Sequence, residues 1–424
     1  MVKPGYKQTK IGVIPEDWET SSLSAAFQKL EAGVSVNSDN SLSSEYHILK
    51  TSAVHDGVVD TAETKPVIPQ DYLRLKCPLV KGSIIISRMN TPALVGECGF
   101  TKDAKTGTYL PDRLWQIQNF NKSSFDFVWL NYLLNTKQYR DAVRATATGT
   151  SNSMKNISKE RMLDIEIPRP PINEQENIAA ALSEVDELIN LVEKQIDKKK
   201  AIKQGAIQEL LTGKRRLPGF SGEWRYFNLM KNSKVKARIG WQGLKKSEYL
   251  DSGYALLVTG TDFDDGRVLW DGCHYVTRSR YEQDRNIQLQ NNDILITKDG
   301  SLGKAALVQE LTKPATLNSG IFVIRPLQDA YDPVFVYQIL SSFVFKNFLD
   351  RLSAGSTIIH LYQKDVGKFE FLLPPTIAEQ KAIAEALSEM DSDIAALKNK
   401  LTKYRQVKQG MMQQLLTGKI CLEK

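Results

Sequence analysis

EQENIAAALSEVDELINLVEKQIDKKKAIKQGAIQELLTGK, residues 174 to 214, returns without a gap as EQKAIAEALSEMDSDIAALKNKLTKYRQVKQGMMQQLLTGK, residues 379 to 419. The offset is 205 residues and about half of the aligned positions are identical. Both copies open on Glu-Gln (Glu174-Gln175, Glu379-Gln380) and continue into Ala-Leu-Ser-Glu-x-Asp (Ala181 to Asp186, Ala386 to Asp391). Both carry Lys-Gln-Gly (Lys203 to Gly205, Lys408 to Gly410) and close on Leu-Leu-Thr-Gly-Lys, ending at Lys214 and Lys419. A repeat this long governs the architecture, because repeated units bury their apolar faces on one another.

Each copy reads as one long helix. Ile178, Leu182, Val185, Ile189, Val192 and Ile196 step by four and three, the a/d seam of a heptad. Ile383, Leu387, Met390, Ile394, Leu397, Leu401 and Tyr404 keep the same rhythm. Pro170-Pro171 and Pro374-Pro375 precede the starts, and Asn173 with Glu176, and Thr376 with Glu379, have capping-box spacing. Gly213 and Gly418 stand where a left-handed C-terminal cap belongs. Gly205 and Gly410 interrupt the pattern and weaken that end of each helix. Roughly forty residues at ~1.5 Å each span ~60 Å. Two seams of equal length in one chain pair most simply with each other, and the large segment between them favours an antiparallel arrangement.

Outside the helices the repeat continues more faintly. Ile14-Pro15-Glu16-Asp17-Trp18 corresponds to Phe220-Ser221-Gly222-Glu223-Trp224, and the strand-like stretch Gly82 to Arg88 corresponds to Asn292 to Lys298. Helical patterns begin near Phe127 and Val334, each followed by a small-residue loop, Thr148 to Ser151 and Ala354 to Thr357. The order is globule, helix, globule, helix. The fold class expected is α+β: two globules of short strands and helices, at residues 1–170 and 215–373, with long helices at 171–214 and 374–424 pairing as an antiparallel coiled coil about an internal pseudo-two-fold.

The 424 residues suffice for two or three domains, and 42% apolar with 25% charged residues is ordinary globular composition. Neither an apolar signal region in Met1 to Trp18 nor any run of about 18 apolar residues occurs, so a cytoplasmic chain without a membrane span is expected. Cys77, Cys98, Cys273 and Cys421 are scattered, which argues against a disulfide framework or structural zinc. A net charge of +7 permits a polyanionic partner without requiring one.

Catalytic constellations are missing. Gly300-Ser301-Leu302-Gly303-Lys304 lacks the spacing of a phosphate loop and reads better as a turn. Asp60 with Glu63 and Lys65 faintly resembles nuclease carboxylates, a pattern common by chance, and Cys273-His274 is a poor chelating pair. No metal site and no cofactor loop is read in this chain. Binding candidates are more numerous. Arg88 and Lys298 end the repeated strand, where a cation meets a phosphate or a guanine edge, or simply solvent. Asn90, Arg113 and Lys304 are further candidates. Trp241-Gln242 follows the basic stretch Lys234 to Arg238; Gln pairs with adenine, while the Trp reads equally as core. Thr150, Ser151, Ser356 and Thr357 offer backbone amides to phosphates or are plain turns.

In the order of its parts, in Arg216 to Trp224 (RLPGFSGEW), in the paired LLTGK and in the opening Tyr6 to Trp18, the whole chain resembles the specificity subunit of type I restriction-modification systems. That resemblance implies a non-catalytic reader of double-stranded DNA. Each globule would be a target recognition domain for one half of a bipartite site, and the helices would set the unread spacer. Two modification subunits would bring S-adenosylmethionine and methylate adenine, and restriction subunits would bring ATP and Mg; this chain would hold none of them. A coiled-coil adaptor that joins proteins without reading DNA is the competing reading. Glu97 aligns with Lys304, a reversal of charge between the globules that implies different preferences.

Overall fold

The computed structural model describes residues 3–149, 153–353 and 360–422. The chain divides into two compact units, Met1–Glu193 with Asn399–Lys424, and Lys194–Lys398. Each unit therefore contains one globule and part of each long helix.

In the first unit a six-stranded sheet runs in the order Phe27–Ala32, Leu114–Phe120, Ile84–Ser87, Cys98–Phe100, Gly57–Val59, Val54–His55. Ile84–Ser87 lies inside this sheet with all four residues buried. Side chains alternate across a strand, so Ile84 and Ile86 enter the core shared with the helices while Ile85 enters a second core with Leu49, Leu79 and Leu110. A strand covered on both faces has no polar side to show, hence the unbroken Ile run. Helix Phe127–Leu134 lies over the first core, its N-terminus capped by Asp126, which accepts from the Trp129 amide at 2.7 Å. Glu19–Ser22 pairs with Glu166–Arg169 and joins the start of the globule to its end.

The second unit repeats this topology strand for strand. Its sheet order is Ser233–Lys236, Ile321–Pro326, Ile294–Thr297, Ala305–Leu307, Arg267–Val268, Phe263–Asp264. Ile294 and Ile296 enter one core and Leu295 the other. The parallel pair also recurs, Gly99 against Gly57 in one sheet and Leu307 against Arg267 in the other. Asp332 caps Pro333–Leu340 through the Phe335 amide at 2.8 Å, and Arg225–Asn228 pairs with Glu370–Leu373.

The long helices span Ile172–Leu210 and Ile377–Leu415. Within the first unit Asp186 pairs with Lys408 at 2.7 Å and Glu193 with Arg405 at 2.7 Å. Within the second, Lys199 pairs with Asp393 at 2.6 Å and Lys203 with Asp391 at 2.5 Å. In both, numbers rise along one helix as they fall along the other, so the pairing is antiparallel. Ile178, Leu182, Ile189, Val192, Ile196, Ile383, Leu387 and Ile394 are buried, and Val185, Met390, Leu397 and Leu401 half-buried. The seam has two uses. Ile178 and Leu182 belong to the first globule's core together with Leu415 and Leu416; Ile383 and Leu387 belong to the second's with Leu210 and Leu211. Ile189, Val192, Ile196 and Ile394 lie farther along, in the rod proper.

The starts differ from the capping-box expectation. The first helix begins at Ile172, so Asn173 lies inside it, and the Glu174 and Gln175 amides bond to the Pro171 carbonyl. In the second, Thr376 does accept from the Glu379 amide at 3.2 Å, but the Glu379 side chain turns to Arg216 and Trp224 instead of back to the cap. No helix among the described residues is long and apolar enough to cross a membrane.

Candidate functional site

The most distinctive polar corner of each globule lies where the buried Ile-rich strand ends. In the first unit Trp115 lies opposite Ile86, and the Arg88 guanidinium sits 5.3 Å from the Trp115 ring centroid. Arg88 Nε donates to Asn156 Oδ1 at 3.4 Å. The Arg113 carbonyl accepts from the Arg88 amide at 3.0 Å, so both arginines emerge at one corner. Asn90 is close by, donating to Ser87 Oγ at 3.1 Å. Arg88 and Asn90 are half-buried and Arg113 is exposed.

The second unit builds the same corner from different residues. Phe322 lies opposite Ile296, and the Lys298 ammonium sits 5.6 Å from its ring centroid. The Lys298 amide bonds to the Gly320 carbonyl and its own carbonyl accepts from Leu361. A cation over an aromatic ring at the end of the central strand is thus part of the repeat. The sequence displayed the two cations; the rings were hidden in strands distant along the chain.

Glu97 and Lys304 do occupy equivalent positions, since their carbonyls accept from the Ser87 and Thr297 amides. Neither presents its charge to a ligand as the alignment suggested. Glu97 is buried and paired with Arg144 at 2.9 Å and Arg140 at 3.5 Å. Lys304 turns inward and donates to the Phe263 carbonyl. Residues Gly300 to Lys304 form the turn expected of them, the Lys304 amide bonding to Thr297 Oγ1 at 2.9 Å.

The Trp241-Gln242 reading is reversed. Trp241 is 78% exposed, not core, whereas Gln242 is 7% exposed and its Oε1 is buried without a partner. The short 3-10 turn Gly240–Gln242 holds one side chain out and the other in. Arg238 is fully buried, donating to the Leu317 carbonyl at 2.8 Å and Thr316 Oγ1 at 3.2 Å, and desolvation holds its guanidinium below the ordinary value. A cavity of about 400 Å³ beside it is lined by Lys236, Arg238, Lys298, Phe322 and Tyr362. Thr150, Ser151, Ser356 and Thr357 lie outside the described residues.

A larger groove of about 1220 Å³ in the first unit is lined by Tyr132, Arg140, Asp186, Arg405, Lys408 and Met412, among others. At its wall the Tyr132 hydroxyl donates to Asp186 at 2.6 Å and Lys408 lies 5.3 Å from the Tyr132 ring centroid. Burial and the neighbouring Asp186 carboxylate push the Tyr132 hydroxyl's pKa up, so it remains a proton donor.

The weak catalytic patterns dissolve into local structure. Glu63 pairs with Lys50 at 3.0 Å, and Asp60 accepts from the Ala62 amide at 2.9 Å. Cys273 is buried while His274 is exposed, as neighbours on opposite faces of an extended chain are. Among the described residues no group of three or more His, Cys, Asp or Glu side chains is placed to hold a metal ion.

The family model described as the type I restriction modification DNA specificity domain matches residues 15–202 and 242–406. The chain is 26% identical, over 98% of its length and 96% of the relative's, to a Methanocaldococcus jannaschii protein named as the MjaX type I restriction enzyme specificity subunit. It is 24% identical to the MjaVIII specificity subunit of the same organism, over 96% of this chain and 94% of that one. Among solved structures it is similar to the S subunit of a type I restriction-modification system from M. genitalium. There the TM-score is 0.60 at 17% identity, covering 94% of this chain and 96% of the other.

Proposed function

The chain belongs to the type I restriction-modification DNA specificity family, a non-catalytic DNA-recognition component, and on that premise we propose that it reads a bipartite target. Residues 1–170 and 215–373 are the two target recognition domains, and the segments 171–214 and 374–424 contain the spacer helices, Ile172–Leu210 and Ile377–Leu415. Partner modification subunits, two per chain, methylate adenine with S-adenosylmethionine. Restriction subunits add ATP- and Mg-dependent cleavage, and the assembly works in the cytoplasm.

One observation carries this reading. The six-stranded sheets of the two globules agree strand for strand, yet at the same corner one offers Arg88 with Arg113 and the other Lys298. A common scaffold with unlike polar tips suits two heads that dock alike and read different bases. Arg88, Asn90, Arg113, Lys298 and the exposed Trp241 are the described residues proposed to meet DNA; Gln242 and Lys304 face inward. The helices support protein partners, because Leu188, Leu191 and Val407 are about half exposed on them and apolar surface left in water marks an interaction site.

The test is to assemble the chain with its modification subunits and sequence the methylated adenines. A split motif is expected, and exchanging residues 1–170 for those of another specificity subunit should alter only one half. Methylation without any enriched sequence sinks the reading and leaves the adaptor.

A further inference from the structure

We propose that Arg88 is the guanine-reading side chain of the first globule, whereas Lys298, its counterpart, only grips phosphate. This rests on the DNA-reading function above and assigns a task to one residue of it.

The argument begins with how each cation is held. Arg88 is fixed from several sides: its carbonyl accepts from the Ile157 amide at 2.9 Å, its amide bonds to Arg113, its Nε to Asn156, and Trp115 lies beneath its guanidinium. Asn156 is itself placed by the strand Lys155–Ile157, which pairs with Met89–Asn90. Among the described residues the two terminal nitrogens of Arg88 have no hydrogen-bond partner. A planar fork with one edge tied and the other edge open is the donor that matches guanine O6 and N7 together. Because its geometry is set beforehand, little side-chain freedom is lost on binding.

Arg113, at the same corner, is exposed, and although its carbonyl accepts from the Arg88 amide, its own guanidinium has no ring beneath it among the described residues. Lys298 has the ring but no planar fork, and an ammonium on a flexible stem acts as a point charge. Guanine O6 and N7 are best matched by the rigid fork that Lys298 lacks, and a contact to phosphate holds register without carrying base information. The repeated strand therefore delivers a reading group in one globule and a positioning group in the other.

The experiment uses the complete complex with its modification subunits and compares methylation across a randomised target library. Arg88→Lys keeps the charge and removes the fork. Preference should relax about 5- to 150-fold at one G·C pair of the half-site that tracks with residues 1–170, leaving the other half unchanged. Lys298→Ala should instead weaken binding similarly for every sequence and lower the salt slope by about one. An Arg88→Lys complex with unaltered preference at all positions overturns the assignment while the split motif itself stands. So does a wild-type half-site for residues 1–170 made only of A·T pairs, a result that needs no variant to fold. A wild-type complex that selects no motif removes the assignment together with the function it rests on.

Discussion

Gly213 and Gly205 carry the same side chain eight residues apart, and the structure asks opposite things of them. Gly213 and its counterpart Gly418 have φ of +71° and +68°. A Cβ on Gly418 would lie 2.4 Å from Pro15, and one on Gly213 3.2 Å from Trp224. Gly205 and Gly410 are helical, with nothing within 4 Å of an added Cβ. Gly213→Ala should therefore cost about 1–2 kcal/mol for the left-handed backbone, and Gly418→Ala more because of Pro15. Gly205→Ala and Gly410→Ala should each add about 0.5–1 kcal/mol. Urea unfolding midpoints for the four single variants check this, and a loss at Gly205 or a gain at Gly213 contradicts it. The caps were legible from position alone, since Gly after a heptad run has a single common use. What they cap against was not. Pro15 ends the strand Gly12–Pro15 and Trp224 directly precedes the strand Arg225–Asn228, and no local spacing reveals that a helix end will meet them.

Among the elements, the Glu-Gln opening of each long helix is a latch to its globule. Glu174 accepts from Trp18 Nε1 at 2.8 Å, and Glu379 from Trp224 Nε1 at 3.3 Å. Gln175 Oε1 accepts from the Asp126 amide at 2.9 Å while its Nε2 donates to the Ser124 and Pro170 carbonyls; Gln380 Oε1 accepts from the Asp332 amide at 2.8 Å and its Nε2 donates to Pro374. Each Gln thus ties the long helix to the N-terminus of a globule helix, Phe127–Leu134 in the first and Pro333–Leu340 in the second. Both are buried, so Gln175→Ala and Gln380→Ala should each cost about 1–3 kcal/mol by stranding an amide and a carbonyl. Protection of the Asp126 or Asp332 amide against hydrogen exchange should fall with it, and unchanged protection sinks the latch. The repeat advertised these dipeptides, but helix-capping rules assigned Glu379 to its own helix end. Long-range partners won, because a buried carboxylate needs the Arg216 fork and the indole more than an exposed helix end needs a second cap. The seam was readable for the same reason that it was incomplete. Period alone marks a buried face, and it cannot say that Ile178 joins a globule's core while Ile189, also buried, does not.

At the scale of the whole molecule, the chain's opening and close behave as one more internal junction. Within the second unit, Leu210 and Leu211 enter the core and Gly213 abuts Trp224, with residues 214–223 linking helix to globule by peptide bonds. Within the first unit, Leu415 and Leu416 enter the core, Gly418 abuts Pro15, and the Tyr6 hydroxyl donates to the Lys419 carbonyl at 3.2 Å. The second junction matches the first but for its covalent link. A chain joined from Lys424 to Met1 through a short flexible linker and reopened between Pro218 and Gly219, both exposed, exchanges the two kinds of junction. Closing one loop and opening another of similar length changes little chain entropy, since the cost grows only with the logarithm of length, and exposed loop tips tolerate new ends. The permuted chain should unfold within about 1 kcal/mol of the original and direct methylation of the same motif. Reopening instead inside Ile294–Thr297, whose four residues are all buried in the sheet, should abolish folding. A permuted chain that is soluble but selects a different motif would show that the junctions are not equivalent, and that the repeat is a likeness of parts rather than of their assembly.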